Sequence, residues 1–394
     1  MDNKLGLYLH IPYCKSKCAY CDFYSVSERT DYQRYADSLI FHMQDYSPSA
    51  MNYEVDTVFI GGGTPSVMPG KTLLGLIGGI YSNFNVTKDA EVTVECNPAT
   101  INYGQLKKLH SNGVNRLSIG LQSTCDNELA SLSRAHNYEN FENCWRDVRG
   151  AGFSNINIDL MYGIPEQTIA SLKMSLETVC ELGPEHISLY GLKIEPGTLF
   201  HDMKSTLILP DEDDEYEMYE MAVSILEKNG YKQYEISNFA RHGFECKHNL
   251  KYWNCEEYLG LGPAAHSYFG NCRFSFKRDI GSYIQAMEKD TCEEDIIDEY
   301  YEVSPSERVG EYIMLRMRLN DGIDTEKFRK LFGLDFDRLY GKYLTAYIDN
   351  GYMIKTATGY AFTTKGRYVS NHILSTMLDF NSDIVYNIAN GTDK

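Results

Sequence analysis

His10–Phe23, reading HIPYCKSKCAYCDF, sets Cys14, Cys18 and Cys21 in a C-x3-C-x2-C spacing directly after the apolar run Leu5–Ile11. Three thiolates on one short loop repel each other unless something positive holds them together. Three chemistries fit the spacing. A four-iron cube takes four ligands, so three cysteines leave one iron open to a small molecule. Cys18-Ala-Tyr-Cys21 alone is spaced as a thioredoxin-like redox pair. His10 added to the cysteines makes a Cys3His set for structural zinc.

Outward from this loop, short runs rich in Val, Ile, Leu and Tyr alternate with helical stretches. The expected strands are Leu5–His10, Val55–Ile60, Glu91–Glu95, Arg116–Leu121, Asn155–Met161 and His186–Leu192. Between them helices are expected around 31–45, 71–82, 102–111, 126–150 and 168–182, several stopping at Gly. Such alternation predicts a parallel sheet with right-handed crossovers. Six units predict an α/β fold, a partial (β/α)6 barrel with its chemistry at the C-terminal ends of the strands.

The polar residues follow that rule. Tyr8 lies on the first strand, and Gly61-Gly62-Gly63-Thr64-Pro65 closes the second. Glycines there let backbone approach a ligand, and their N–H groups can bond a carboxylate; plain turn geometry explains the run equally well. No Gly-Lys-Ser/Thr follows, so it is not a P-loop. Glu95 is expected to end the third strand, Gln122 the fourth and Asp159 the fifth, with Arg134 in the loop after strand four.

The cysteine loop resembles that of radical S-adenosylmethionine (SAM) proteins. More specifically, LYLHIPYC, CDF, GGGTP, VECNP, IGLQS, LSRAH, NIDLMYGIP and LYGLKIEPGT resemble the oxygen-independent coproporphyrinogen III oxidase family, over nearly the whole chain. The resemblance implies a [4Fe-4S] cluster on Cys14, Cys18 and Cys21, with SAM on the open iron. In that superfamily an electron from the cluster breaks the sulfonium bond and yields a 5′-deoxyadenosyl radical. By the same likeness Tyr8, Gly62, Glu95, Gln122, Arg134 and Asp159 would contact the cluster-bound SAM. Gly63, Thr64 and Tyr20 would lie against a second SAM where the true oxidases bind one. The side chains suit these roles, since Glu95 and Asp159 can hold an ammonium or ribose hydroxyls, Arg134 a carboxylate, and Gln122 both donates and accepts.

Residues 1–205 are read as the barrel and 206–300 as its extension. The extension opens on LPDEDDEYEMYEMAVSILEKNGY, an acidic-capped amphipathic helix, followed by QYEISNFAR, a strand-like run. His248, Asn249, Tyr252 and Trp253 then form HN-x2-YW. A core-edge cluster with satisfied hydrogen bonds accounts for that patch on its residues alone. The haem-chaperone branch of the family, HemW, carries this signature at this place, which implies a haem- or cluster-proximal role. Residues 301–394 read helix, helix, helix, short hairpin, helix, and resemble the winged-helix-like C-terminal module of the family. The tail from Asp379 informs little.

Composition narrows the function. Lys plus Arg number 37 and Asp plus Glu 55, a net charge of −18 that repels phosphate backbones, so nucleic acid is not expected as a partner. Leu73–Tyr81, broken by glycines, is far short of a membrane span. The N-terminus lacks the pattern of a signal peptide, and eleven cysteines point to a reducing compartment, so a cytoplasmic location is expected. The resembled oxidases carry a fourth cysteine two residues after the third and an N-terminal extension; here that position is Phe23, and the chain as given reaches its first strand at Leu5. Both departures match the haem-chaperone branch. The expected function is therefore a haem chaperone. It would bind haem (haem b) and pass it to haem-requiring acceptors, among them membrane-bound respiratory enzymes, without coproporphyrinogen dehydrogenase activity. The alternative is the oxygen-independent coproporphyrinogen III dehydrogenase, which decarboxylates porphyrinogen propionates.

Overall fold

All six expected strands form, and they run parallel in chain order: β1 (Lys4–Ile11), β2 (Glu54–Gly62), β3 (Val86–Cys96), β4 (Arg116–Gln122), β5 (Ile156–Tyr162) and β6 (His186–Gly191). The structure is a computed structural model describing residues 3–27, 31–289 and 295–380. The tail from 381 on lies outside the described residues. Helices α1 (Tyr32–Ala50), α2 (Gly70–Asn83) and α3 (Tyr103–Ser111) follow the first three strands. After β4 come α4 (Asp126–Ser131) and α5 (Tyr138–Ala151), and after β5 comes α6 (Ile169–Leu182).

The single helix expected over 126–150 is thus two. The reason is a reciprocal cap at Asn137, which accepts from Asn140 N at 3.0 Å while its own N–H donates to Asn140 Oδ1 at 3.2 Å. The break has a use, because it holds the turn at Ser133 and Arg134 over the end of β4.

The sheet continues past the six strands and does not close. After α7 (Leu199–Asp202) and α8 (Glu212–Lys228), the run QYEISNFAR splits into β7 (Lys232–Gln233) and β8 (Asn238–Ala240). Glu235 folds inward between them to accept from Ser237 N, which explains the interruption. β8 joins β6 antiparallel, whereas β9 (Tyr258–Leu261) joins β1 in parallel. Beyond β9 lie β10 (His266–Phe269), β11 (Cys272–Phe276) and β12 (Ile297–Glu302), giving a twelve-stranded sheet in the order β12-β11-β10-β9-β1-β2-β3-β4-β5-β6-β8-β7. The expected six-unit barrel is therefore an open arc, extended at both edges.

Strand patterning explains the site. A parallel sheet covered by helices on both faces reads as near-continuous apolar runs, but these strands alternate. Leu5, Leu7, Leu9 and Ile11 point to one face and are fully buried in the main core with Val92, Val94, Leu117, Ile119, Ile156 and Ile158. Each such residue contributes roughly 1.5–3 kcal/mol by leaving water. Their alternates Tyr8, His10, Thr93, Glu95, Arg116, Ser118, Asn157, Asp159, His186 and Ser188 share the inner face. A second core, Val309 to Met377, belongs to the C-terminal helices and the small sheet β13 (Ile323–Asp324), β14 (Met353–Lys355) and β15 (Gly359–Phe362). The expected hairpin is present, widened by one strand.

Candidate functional site

The cysteine loop leaves β1 and is tied down by four backbone hydrogen bonds to Val26, Leu132 and Phe200. Cys14 N donates to Val26 O at 3.0 Å, Val26 N to Pro12 O at 2.7 Å, Ala19 N to Leu132 O at 3.2 Å, and Phe200 N to Ala19 O at 2.9 Å. His10 anchors its root: Nε2 donates to Tyr24 O at 2.9 Å, and Nδ1 accepts from Tyr8 OH at 3.1 Å. Burial pushes this imidazole down to about 4, so it stays neutral. With both ring nitrogens engaged, His10 would have to give up one of these bonds to complete a Cys3His zinc set.

The thiols are partly exposed and free. Cys14 Sγ sits 3.5 Å from Thr64 Oγ1, and Cys18 Sγ accepts from Arg134 Nη1 at 3.4 Å. Burial, with Cys18 and Cys14 nearby, pushes the Cys21 thiol up to about 11; a bound cation reverses that preference. Among the described residues no three His, Cys, Asp or Glu side chains converge on a single ion. A cube takes each cysteine on a separate iron, and the loop supplies three free thiols for it. The donor set fits a cluster better than a lone metal ion.

The glycine turn after β2 works differently from expectation. Gly62 N donates to Glu95 Oε2 at 3.0 Å, Gly63 N to Ile11 O at 2.8 Å, and Thr64 N to Tyr13 O at 2.7 Å. The N–H groups expected to bind a ligand carboxylate are spent on the protein itself. What glycine supplies is proximity. A Cβ on Gly61 would meet Glu95 Cδ at 2.7 Å, and one on Gly63 would meet Tyr13 O at 2.7 Å.

Glu95 and Asp159 face each other across β4. Asp159 Oδ1 accepts from Asn157 Nδ2 at 2.7 Å and Oδ2 from Ser118 Oγ at 3.2 Å. It lies mid-strand in β5 and not at its end, because β5 runs three residues further to Tyr162. Burial raises its carboxyl above the usual range. Burial and the charge of Asp159 push Glu95 from 4.5 up to about 8, with Gly62 N–H and Arg116 pulling back. Gln122 ends β4 with φ of 74°, a left-handed conformation that costs a non-glycine residue about 1–2 kcal/mol, and such strain gathers at working sites. Arg134, expected to hold a carboxylate, instead bonds Gly120 O at 2.7 Å and Tyr20 OH at 3.4 Å besides Cys18. It ties the cysteine loop to β4. Tyr8, Tyr20, Gly62, Gly63, Thr64, Glu95, Gln122, Arg134 and Asp159 thus border one inner mouth with the cysteine loop.

The raised Glu95 carboxyl has a measurable consequence. Between about 4.5 and 8 it is neutral in the folded chain and ionised in the unfolded one, so it lowers stability as pH rises through that window and no further above it. Glu95→Gln keeps the bond from Gly62 and removes the titration. Its melting temperature should therefore gain on the wild type by several degrees more at pH 9 than at pH 5. Parallel melting curves at the two pH values would show the Glu95 carboxyl unperturbed.

HN-x2-YW lies on the short helix α9 (Lys247–Trp253) beneath the inner face, with Tyr252 reaching toward Tyr8 and Glu95. His248 is 1% exposed, with Nδ1 at 2.8 Å from Thr57 Oγ1 and Nε2 at 2.8 Å from Tyr252 OH; burial pushes it down to about 3. Both nitrogens are engaged, the arrangement of a satisfied core-edge cluster. Asn249, Tyr252 and Trp253 are partly exposed, and Arg318 from the C-terminal region lies 5.9 Å over the Trp253 ring. Gly6 makes the docking possible, since a Cβ there would meet Lys251 Cδ at 3.0 Å and His248 Cε1 at 3.3 Å. An aromatic file, Tyr252, His248, Phe59, Tyr8, His10 and Tyr24, with centroids 5.1 to 6.3 Å apart, runs from this helix to the cysteine loop.

Several polar residues escaped the sequence reading. Glu91 caps α9 from a different element, accepting from Lys247 N and His248 N, each at 3.2 Å. His186 bonds Asn157 Oδ1 at 2.6 Å and Tyr234 OH at 2.8 Å, extending the Asp159 network down to the same helix. Arg116 is buried among them. The signal that could have found them was the alternation of strands such as RLSIGLQ, INIDLMY and HISLYG, whose polar positions share one buried face.

The comparisons with known proteins agree with this geometry. The family model for the radical SAM superfamily matches residues 8–179, and that for the HemN C-terminal domain matches 303–369. A protein of Bacillus subtilis (strain 168) named Heme chaperone HemW is 35% identical over 378 residues, covering 94% of this chain and 98% of that protein. Its Escherichia coli (strain K12) namesake is 32% identical, covering 95% and 98%. Among solved structures, the coproporphyrinogen III oxidase HemN of Escherichia coli, described as a radical SAM enzyme, aligns with a TM-score of 0.83 at 23% identity, over 95% of this chain and 90% of that one. That likeness shows the fold. Among the described residues no helix is long and apolar enough to cross a membrane. By its end-to-end similarity to the HemW proteins, the chain belongs to the HemW family of heme chaperones within the radical SAM superfamily.

Proposed function

We propose that the protein binds haem and hands it to haem-requiring acceptors, on a scaffold that carries a [4Fe-4S] cluster and SAM. The kinship with Heme chaperone HemW over almost the full length of both chains carries the reading. Phe23 supports it: where the resembled oxidases have a cysteine, this aromatic ring stands 66% exposed, so core packing does not explain its presence. Cys14, Cys18 and Cys21 would hold the cluster. Glu95 and Asp159 would take the ammonium or ribose of SAM, with Tyr8, Gln122 and the Gly62–Thr64 turn shaping the pocket. Tyr20 and Arg134 would fix the loop against β4. When bound, cluster and SAM together supply one-electron chemistry; the chain's own residues bind, orient and exclude water. Residues 1–205 would form the cofactor-bearing unit, 206–300 the extension with HN-x2-YW, and 301–394 a module that docks partners. The acceptors would include membrane-bound respiratory enzymes met from the cytoplasm.

His248, Asn249, Tyr252 and Trp253 are the haem candidates. His248 would enter a haem site by giving up the bond between its Nε2 and Tyr252. Haem titration followed by absorbance tests this. The wild type should saturate at about one haem per chain, and His248→Ala should bind more weakly with a shifted Soret band. A wild type that takes up no haem would contradict the function. An unchanged spectrum in His248→Ala would remove only that residue.

A further inference from the structure

Arg116 opens β4 and is 2% exposed. It pairs with Thr93 of β3, one inward step below Ser118, which pairs with Glu95 and donates to Asp159. Its Nε has no hydrogen-bond partner, and the carboxylates that act on it are Glu91 and Asp159. A guanidinium buried without a matched partner is costly, so its place needs a reason. Glu91 is already committed to the N–H groups of α9. Glu95 and Asp159 repel each other at the mouth above, and Arg116 acts on both.

We propose that Arg116 is a positioning residue of the cofactor pocket, the buried counter-charge that keeps Glu95 and Asp159 ready to receive a cationic ligand. This rests on the reading that those two carboxylates hold SAM. The other titratable groups acting with Glu95 are Cys96 beside it in β3, whose thiol burial keeps protonated, and Tyr8 of β1, Tyr190 of β6 and Tyr252 of α9. Burial holds all three phenols neutral far above any assay pH. His186 and His248, which also lie within reach of Arg116, are pushed down and stay neutral. Arg134 and the Tyr20 phenol, kept neutral by burial, also face Asp159, but Arg116 is the cation that acts on both carboxylates before SAM arrives.

The test is SAM binding by equilibrium dialysis to the full chain with its cluster reconstituted, from pH 6.5 to 9, for wild type, Arg116→Met, Arg116→Lys, Glu95→Gln and Asp159→Asn. The titration of SAM's own amino group is common to all and cancels in the comparison. Arg116→Met should weaken binding about tenfold at pH 7, the equivalent of one unit in carboxyl pKa, and the gap should close toward pH 9. Arg116→Lys should stay within about threefold of wild type, because it keeps the charge. A loss in Arg116→Met that is equal at every pH, or no loss, overturns the proposal. Should Arg116→Met fail to fold, Arg116→Lys decides: a tenfold loss that pH does not alter overturns it. If instead Glu95→Gln and Asp159→Asn both bind SAM as the wild type does, the pocket reading itself has failed.

Discussion

Cys18→Ala should leave the anaerobically reconstituted protein colourless, with iron and sulfide far below the roughly four of each that a cube contains. Cys14→Ala and Cys21→Ala should do the same. The loop offers three thiols, and the neighbouring imidazole that could have replaced one is engaged at both nitrogens. Cys18 should be the most sensitive, because its sulfur also accepts from Arg134, the link between loop and β4. The fold should survive, since the loop is held by backbone bonds to Val26, Leu132 and Phe200. Far-UV circular dichroism of the variant should match that of the cluster-free wild type. Iron and sulfide assays, with the visible spectrum before and after reduction, check the outcome. A wild type that stays colourless while binding one zinc per chain would contradict it.

The second large effect belongs to Gly62. At φ of 105° any side chain is strained, and a Cβ would lie 2.4 Å from the His10 ring. That ring is fixed by Tyr8 and Tyr24 and cannot withdraw without breaking the root of the cysteine loop. Strain and overpacking together should cost Gly62→Ala about 2–5 kcal/mol, with loss of SAM binding as the Glu95 contact moves. Gly78→Ala is the control. It lies in α2 with nothing within 4 Å of the added carbon, so the change should stabilise by about 0.5–1 kcal/mol. Urea unfolding of both variants reads the contrast. Equal midpoints would mean that the turn tolerates a side chain.

What the amino-acid sequence displays directly is local. The alternation of strand and helix patterns announces the six parallel units, and the spacing of Cys14, Cys18 and Cys21 announces the loop chemistry. Polar residues near strand ends, such as Glu95 and Gln122, fall at the mouth because strand direction fixes which end faces the ligand. Contacts between distant parts are hidden. Nothing near Glu91 says that it caps a helix 156 residues later. Nothing near Gly61–Thr64 says that the N–H groups of Gly62, Gly63 and Thr64 are taken by Glu95, Ile11 and Tyr13. Arg134 reads as a ligand-binding cation until the fold sets Cys18 and Gly120 in front of it. His248 reads as a core-edge residue or, by the resemblance, a haem-proximal one, and nothing near it says that Thr57 and Tyr252 stand at its two nitrogens. Arg116 and His186 were open to view in the alternation of their strands. A polar position on a strand buried on both faces is costly unless it is paired, and on β4, β5 and β6 those positions line the site.

The decisive question is whether this chain carries haem or processes a porphyrinogen. One anaerobic sample, with cluster, SAM and reductant, should be given coproporphyrinogen III. The same preparation, loaded with haem, should then be mixed with an apo haem protein. For a haem chaperone the porphyrinogen stays untouched and haem moves to the acceptor, seen as the rise of the acceptor's Soret band. Conversion of the porphyrinogen to protoporphyrinogen, with no haem delivered, would contradict that function.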